Sequence, residues 1–301
     1  VAEDALTSRT SIWTSWLTAA RPATLSAALA PVLVGTAAAA GADGKFRVPV
    51  FVATLAAALL IQIGTNLAND LSDFVRGADA ADRLGPTRVT QRGLISPGQV
   101  RLATYVSFGA AAGIGLYLVT VGGWPILAIG LASIVAGLAY TGGPWPLGYH
   151  ALGDLFVFLF FGLAAVMGTY YLQTDEVTGL ALVASLPVAF TVTAILVVNN
   201  LRDIETDRRA GKMTLAVRLG ARATRWQYAL LVLGPYGLLA LLWAAGASAW
   251  VGLAAFTLPL ALILCRSALG GTSGRALNPV LKRTAQLHLA FGALLALGLL
   301  L

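Results

Sequence analysis

Of 301 residues, 58% are hydrophobic and 11% charged. A soluble domain carries about 25% charged residues, so this chain has too little charge to cover a water-exposed surface. The net charge of +7 sits between apolar blocks of bilayer length, which reads as membrane orientation and argues against a nucleic-acid partner.

The segment 1–21 is too polar to cross a membrane. Ile12, Trp13, Trp16 and Leu17 share one helical face, and tryptophan favours the headgroup level, so the segment reads as an interfacial helix on the cytoplasmic side. A frayed terminus is the alternative. Nine spans follow, at 22–41, 49–72, 99–121, 124–141, 150–172, 178–201, 224–244, 247–268 and 282–301. Backbone groups in lipid must bond within their own segment, so the spans are helices. Pro22 suits a first helical turn. Ala38 and Ala40 suggest a signal-cleavage site, but the apolar run before them is too long for a signal peptide. Gly142, Gly143, Pro144 and Pro146 read as a rigid turn. Cys265, the single cysteine, lies in an apolar run and reads as a packing residue. His150 and His288 are too few for a histidine-built metal site.

Charge sets the topology. With a cytoplasmic N-terminus and nine alternating helices, only Lys45 and Arg47, of 20 basic residues, face outward. One helix more or fewer destroys that asymmetry, so helix count and orientation support each other.

Seven of the thirteen acidic residues fall in two places. The first holds Asn66, Asp70 and Asp73, followed by Asp79 and Asp82; the second holds Asn199, Asp203, Glu205 and Asp207. Helical spacing puts Asn66, Asp70 and Asp73 on one face, and Asn199, Asp203 and Asp207 on another. Both sets end a span, the second and the sixth, and so emerge on one side. A helix C-terminus disfavours carboxylates, and clustered carboxylates repel, so a cation should offset them. Carboxylate and carboxamide oxygens suit Mg²⁺, which shares phosphate oxygens. Arg76, Arg88, Arg202, Arg208 and Lys212 lie nearby. Acidic stripes with a ring of bases suit a diphosphate bridged by Mg²⁺. Each set runs from an apolar helix through Asn-x-x-x-Asp to a basic stretch with glycine. That degenerate repeat suggests two half-bundles facing each other across a central cavity. The expected architecture is thus all-α, about nine transmembrane helices in one domain over 1–301.

Other residues carry two readings. Asp154 is an intramembrane acid, or an N-terminal charge on its helix dipole. Arg21 reaches a bound ligand or sets topology. His150, beside Tyr149, serves a ligand site or holds the interface. Phe156, Phe158, Phe160, Phe161, Tyr170 and Tyr171 line a ligand site, shield a cation, or pack. A cation transporter is the reading from another class, but it would place its acids near the midplane rather than at one face.

At the two acidic motifs the sequence resembles the UbiA superfamily of intramembrane prenyltransferases. The family pattern Asn-x-x-x-Asp-x-x-Asp is matched by Asn66, Asp70 and Asp73, and Asp-x-x-x-Asp by Asp203 and Asp207. The stretches ARPATLSAALAPVLVG from Ala20, QIGTNLANDLSDFVRGAD from Gln62, YTGGPWPLGYHALGDLFVFLFFG from Tyr140 and NNLRDIETDRRAGKMTLAVRLG from Asn199 resemble the branch acting on 1,4-dihydroxy-2-naphthoate in menaquinone synthesis. The resemblance implies a Mg²⁺-dependent enzyme of the bacterial cell membrane, with other acceptors as the alternative. It uses a polyprenyl diphosphate and dihydroxynaphthoate. It implies Asn66, Asp70, Asp73, Asp203 and Asp207 as metal ligands, the four aspartates being catalytic. Arg76, Arg88, Arg202 and Lys212 would bind diphosphate. Arg21, Asn199, Tyr140, Tyr149, His150 and Asp154 would line the acceptor or prenyl pocket. Gly77 stands where many members carry another aspartate, a role left to Asp79 and Asp82. Oligomeric state is left open.

Overall fold

The computed structural model describes residues 11–77, 84–85 and 88–301. Asp79 and Asp82, as well as residues 1–10 of the N-terminal segment, lie outside the described residues. The described chain is helical, without strands. Its helices are α1 (Ile12–Ala20), α2 (Ser26–Asp43), α3 (Val48–Val75), α4 (Pro97–Ala139), α5 (Gly153–Val157), α6 (Ala165–Thr174), α7 (Gly179–Arg209), α8 (Leu215–Ala244), α9 (Leu258–Leu269) and α10 (Asn278–Leu300). A π-helical turn, Phe158–Ala164, joins α5 to α6 as one membrane-length segment. Pro22 opens a short 3₁₀ turn, Pro22–Thr24, rather than α2 itself. In α1, Ile12, Trp13 and Leu17 are exposed as expected, but Trp16 turns inward onto Ala19, Leu67 and Val89.

Eight helical segments are long and apolar enough to cross a membrane, not nine, because the third and fourth expected spans run together as α4. At ~1.5 Å rise per residue a straight α4 would be about 64 Å long, twice the hydrocarbon core. It is not straight. Gly123 adopts φ 67° and ψ −155°, a conformation open essentially to glycine alone. The two limbs fold back on each other: a Cβ built on Gly137 would lie 3.5 Å from the Phe108 ring. The eight segments therefore make nine crossings, and their alternation matches the sequence expectation.

A capping box starts α4, with Ser96 accepting from the Gln99 amide at 3.3 Å and Gln99 accepting from the Ser96 amide at 3.1 Å. Thr178 and Thr214 cap α7 and α8 one way only, their hydroxyls accepting from the Ala181 and Val217 amides. Between helices the packing uses small residues, as expected where lipid removes the hydrophobic drive for helix association. Gly162 of the π-helical turn lets Ala189 of α7 come so close that any Cβ would overlap it. Helices α2 and α7 are the most buried spans, and α4 is the most exposed. With 28 and 31 residues, α3 and α7 outrun the bilayer core by about two to three turns. Their C-terminal turns carry both acidic sets to the same end of the bundle.

Candidate functional site

A cavity of about 390 Å³ opens at that end, between α2, α3, α7 and the segment after α4. From α3 it takes Asn69 and Asp73, with Gly77 just past the helix end; from α7, Asn199, Asp203 and Asp207. Asn69 and Asp73 stand four residues apart, as do Asn199, Asp203 and Asp207, so each set makes one stripe of its helix. The second stripe is the expected one. The first differs from expectation: Asn66 and Asp70 are absent from the cavity wall, and Asn69 takes the place given to Asn66. Asn66 sends its Nδ2 to the Ala20 carbonyl at 2.9 Å and to Thr24 Oγ1 at 3.0 Å. Asp70 accepts from the amides of Val89 and Thr90, both at 3.2 Å, and is 2% exposed. Both are braces. Asn66 ties α3 to the turn bearing Arg21, which has φ 53° and lines the cavity. Asp70 holds the loop that delivers Arg88. The corrected register makes the internal repeat tighter: Asn-x-x-x-Asp on both helices, then Gly77 where α7 has Asp207.

The cations divide in the same way. Arg88 lines the cavity and pairs with Asp73 at 2.5 Å, both side chains being 6% exposed. Lys212 lines it and lies 3.8 Å from Asp207. Arg209 also lines it, a residue the sequence reading passed over. Arg202, expected to hold diphosphate, is instead buried behind the wall. Its guanidinium donates to both Asp203 oxygens, at 2.8 and 2.6 Å, to Asn199 Oδ1 at 2.8 Å and to Asn278 Oδ1 at 2.9 Å. Arg76 also stays off the wall, donating to the Gly143 carbonyl with its guanidinium 5.6 Å from the centre of the Tyr149 ring.

Tyr140 and Thr141 line the cavity, and Thr141 donates to Asn69 Oδ1 at 2.7 Å. Tyr149 lies behind Asp73, its hydroxyl 3.4 Å from Oδ1. Burial, reinforced by the Asp73 charge, pushes the Tyr149 phenol above its usual range, so it stays a donor. His150 is spent locally: its Nδ1 is 2.8 Å from the Pro146 carbonyl and its ring stacks on Trp145. Asp154 is also off the wall, accepting from Gln227 at 2.7 Å and from Asn200 at 3.4 Å. Gln62, Thr24, Asn200 and Thr206 complete the polar lining. They carry no motif signal, and only the folded helix faces reveal them.

The donor set fits Mg²⁺. Asp73, Asp203 and Asp207 supply hard oxygens, and Asp207 Oδ2 is buried with no hydrogen-bond partner. Among the described residues no three acidic, histidine or cysteine side chains converge into a closed cage. That suits Mg²⁺, which takes one or two carboxylates and completes its shell with phosphate and water.

Sequence comparison names the family. The UbiA prenyltransferase family profile matches residues 28–278. The chain belongs to the UbiA prenyltransferase family. It is 41% identical, over 89% of its length and 91% of the relative's, to a 1,4-dihydroxy-2-naphthoate octaprenyltransferase of Mycobacterium tuberculosis. It is 37% identical to the Escherichia coli protein of the same name, over 95% of both chains. A UbiA homologue from Archaeoglobus fulgidus, solved bound to DMAPP and Mg²⁺, shares the fold with a TM-score of 0.62, at 17% identity, over 93% of this chain and 99% of its own. The acidic helix ends of this UbiA member thus occupy the one polar cavity described above.

Proposed function

We propose that the protein transfers a polyprenyl group from polyprenyl diphosphate to 1,4-dihydroxy-2-naphthoate, with release of diphosphate and CO₂, in menaquinone biosynthesis. One observation carries the reading: a single cavity joins Asp73, Asp203 and Asp207 to Arg88, Arg209 and Lys212, and ends on the apolar Val157 and Phe161. The names of relatives that match nearly end to end support the choice of acceptor.

Asp73, Asp203 and Asp207 are the residues that would hold Mg²⁺, one or two to an ion together with the diphosphate oxygens, and the metal would supply charge neutralisation there. Arg88, Arg209 and Lys212 hold the leaving group as its bond to the allylic carbon breaks and takes the electron pair. Tyr149 and Arg202 keep Asp73 and Asp203 aimed. Arg21, which also lines the cavity, attracts the acceptor carboxylate. The ring carbon bearing that carboxylate bonds to the allylic carbon, and CO₂ then leaves. The cavity end is the cytoplasmic one: every described basic residue except Lys45 and Arg47 lies on that side. A transporter reading loses its basis, since the described acids sit at helix ends or in loops.

The test is direct. Purified protein in liposomes with Mg²⁺, a prenyl diphosphate and dihydroxynaphthoate should yield prenylated naphthoquinol. Product with another aromatic acceptor but none with dihydroxynaphthoate would reassign the substrate. Ion flux without any prenyl transfer would overturn the reading.

A further inference from the structure

Charge is divided along the chain as well as across the membrane. Residues 208–301 hold ten of the 20 basic residues and none of the 13 acidic ones. Orientation alone does not require this, because the positive-inside rule counts lysine and arginine and is nearly blind to aspartate and glutamate. At the end of the bundle away from the polar cavity, each base has a carboxylate: Lys45 lies 3.6 Å from Glu176, and Arg47 lies 3.8 Å from Asp175. At the cavity end, Arg222 of α8, Arg266 of α9, and Lys282 and Arg283 of α10 are exposed, and their helices carry no acidic residue to pair with them. None of the four lines the polar cavity.

These bases head strips of outward-facing apolar surface. On α8, Arg222, Trp226 and Leu230 recur every four residues, and the last two are 62% and 64% exposed. On α9, Arg266 shares its face with exposed Leu262 and Ile263 one turn before it and with Leu269 one turn after. On α10 the exposed strip runs back from Leu297 through Ala293, Ala290 and Gln286 to Arg283. Apolar surface turned out of a membrane bundle meets acyl chains, so each base stands where the headgroups begin. Trp226, one turn from Arg222, is the residue type that favours that depth.

Hydrogen bonds hold the three helix ends together. Arg225 of α8 donates to the Gly271 and Thr272 carbonyls, just past α9, at 3.1 and 3.4 Å. The Tyr228 hydroxyl of α8 is 2.7 Å from Thr284 Oγ1 of α10, the residue after Arg283.

We propose that these ends of α8, α9 and α10 form a binding surface for anionic phospholipid of the cytoplasmic leaflet, with Arg222, Arg266 and Arg283 taking headgroup phosphates. The choice of leaflet rests on the orientation given above; the surface itself does not depend on the catalytic reading. A guanidinium can fork two phosphate oxygens, and the strip beyond it covers the acyl chains. A soluble acidic partner would match the charge but not the apolar continuation of each strip.

Brominated lipid tests this through contact with Trp226, read as the difference between the wild type and Trp226→Phe. With the full chain in phosphatidylcholine bilayers, brominated phosphatidylglycerol should quench Trp226 at least about fivefold more per lipid than brominated phosphatidylcholine, the enrichment that one base near an anionic headgroup supplies. Equal quenching by the two lipids overturns the proposal. Arg222→Gln combined with Arg266→Gln should abolish the preference, whereas Arg222→Lys combined with Arg266→Lys should keep it. A preference that survives the glutamine pair, or that the lysine pair also loses, overturns it. Inorganic phosphate added at constant ionic strength should leave the preference intact; displacement of the lipid would make this a site for soluble phosphate and overturn the lipid assignment. Quenching is read without substrate or Mg²⁺, so failure of prenyl transfer would leave this result standing.

Discussion

Replacing Arg202 with alanine separates a brace from a diphosphate ligand. Its guanidinium makes four hydrogen bonds to Asp203, Asn199 and Asn278, and the side chain is 1% exposed against 15% for Asp203. Removing one partner of a buried pair strands the other charge, at about 3–5 kcal/mol. Asp203 faces the cavity, where water reaches it, so the lower end applies: about 3 kcal/mol, roughly a hundredfold in the folding equilibrium. Arg202→Lys keeps the charge but not the fork, so it should lose about 1–2 kcal/mol. The assay is reversible unfolding in mixed micelles without substrate or metal, followed by circular dichroism. A guanidinium aimed at diphosphate would behave in the opposite way: its removal would leave the empty protein equally stable and raise only the KM for the donor. Wild-type stability in Arg202→Ala refutes the brace.

Asp73→Ala should abolish turnover in protein that still folds. Asp70→Ala should act through the loop instead, with faster proteolysis around residues 88–93 and weaker donor binding; equal behaviour of the two variants would restore Asp70 to the metal set. Chelation with EDTA should stop turnover without shifting the melting temperature of substrate-free protein, since no closed acidic cage exists among the described residues. A chelator-induced drop in that temperature would contradict this. Tyr149→Phe should cost about 1 kcal/mol in the transition state, roughly a fivefold fall in kcat, through the lost bond to Asp73. Because burial raises its phenol, the shape of the pH–rate profile between about pH 7 and 9 should not change. An alkaline limb that disappears in the variant would show a titrating Tyr149.

The helix plan was legible because lipid imposes it. A spanning segment must be about twenty apolar residues long, and the basic residues must fall on one side. Those two constraints recover nine crossings even though the structure joins two of them through Gly123. The chemistry of the site was legible too, since oxygen ligands and cations are visible as residue types. The second stripe survived unchanged because Asn199, Asp203 and Asp207 follow a strict four-residue repeat.

Facing was not legible. Asn66–Asp70 and Asn69–Asp73 obey the same i, i+4 spacing, so periodicity alone cannot say which pair meets the cavity. That choice belongs to the rotation of α3 against its neighbours, and the partners that decide it, the Ala20 carbonyl and the amides of Val89 and Thr90, are distant in sequence. Arg202 turned inward for the same reason: Asn278, 76 residues away, waits behind α7. Composition and period determine which segments cross and which atoms are available. Only packing determines which of those atoms share a space, because one turn of a helix offers every direction and its neighbours leave just one open.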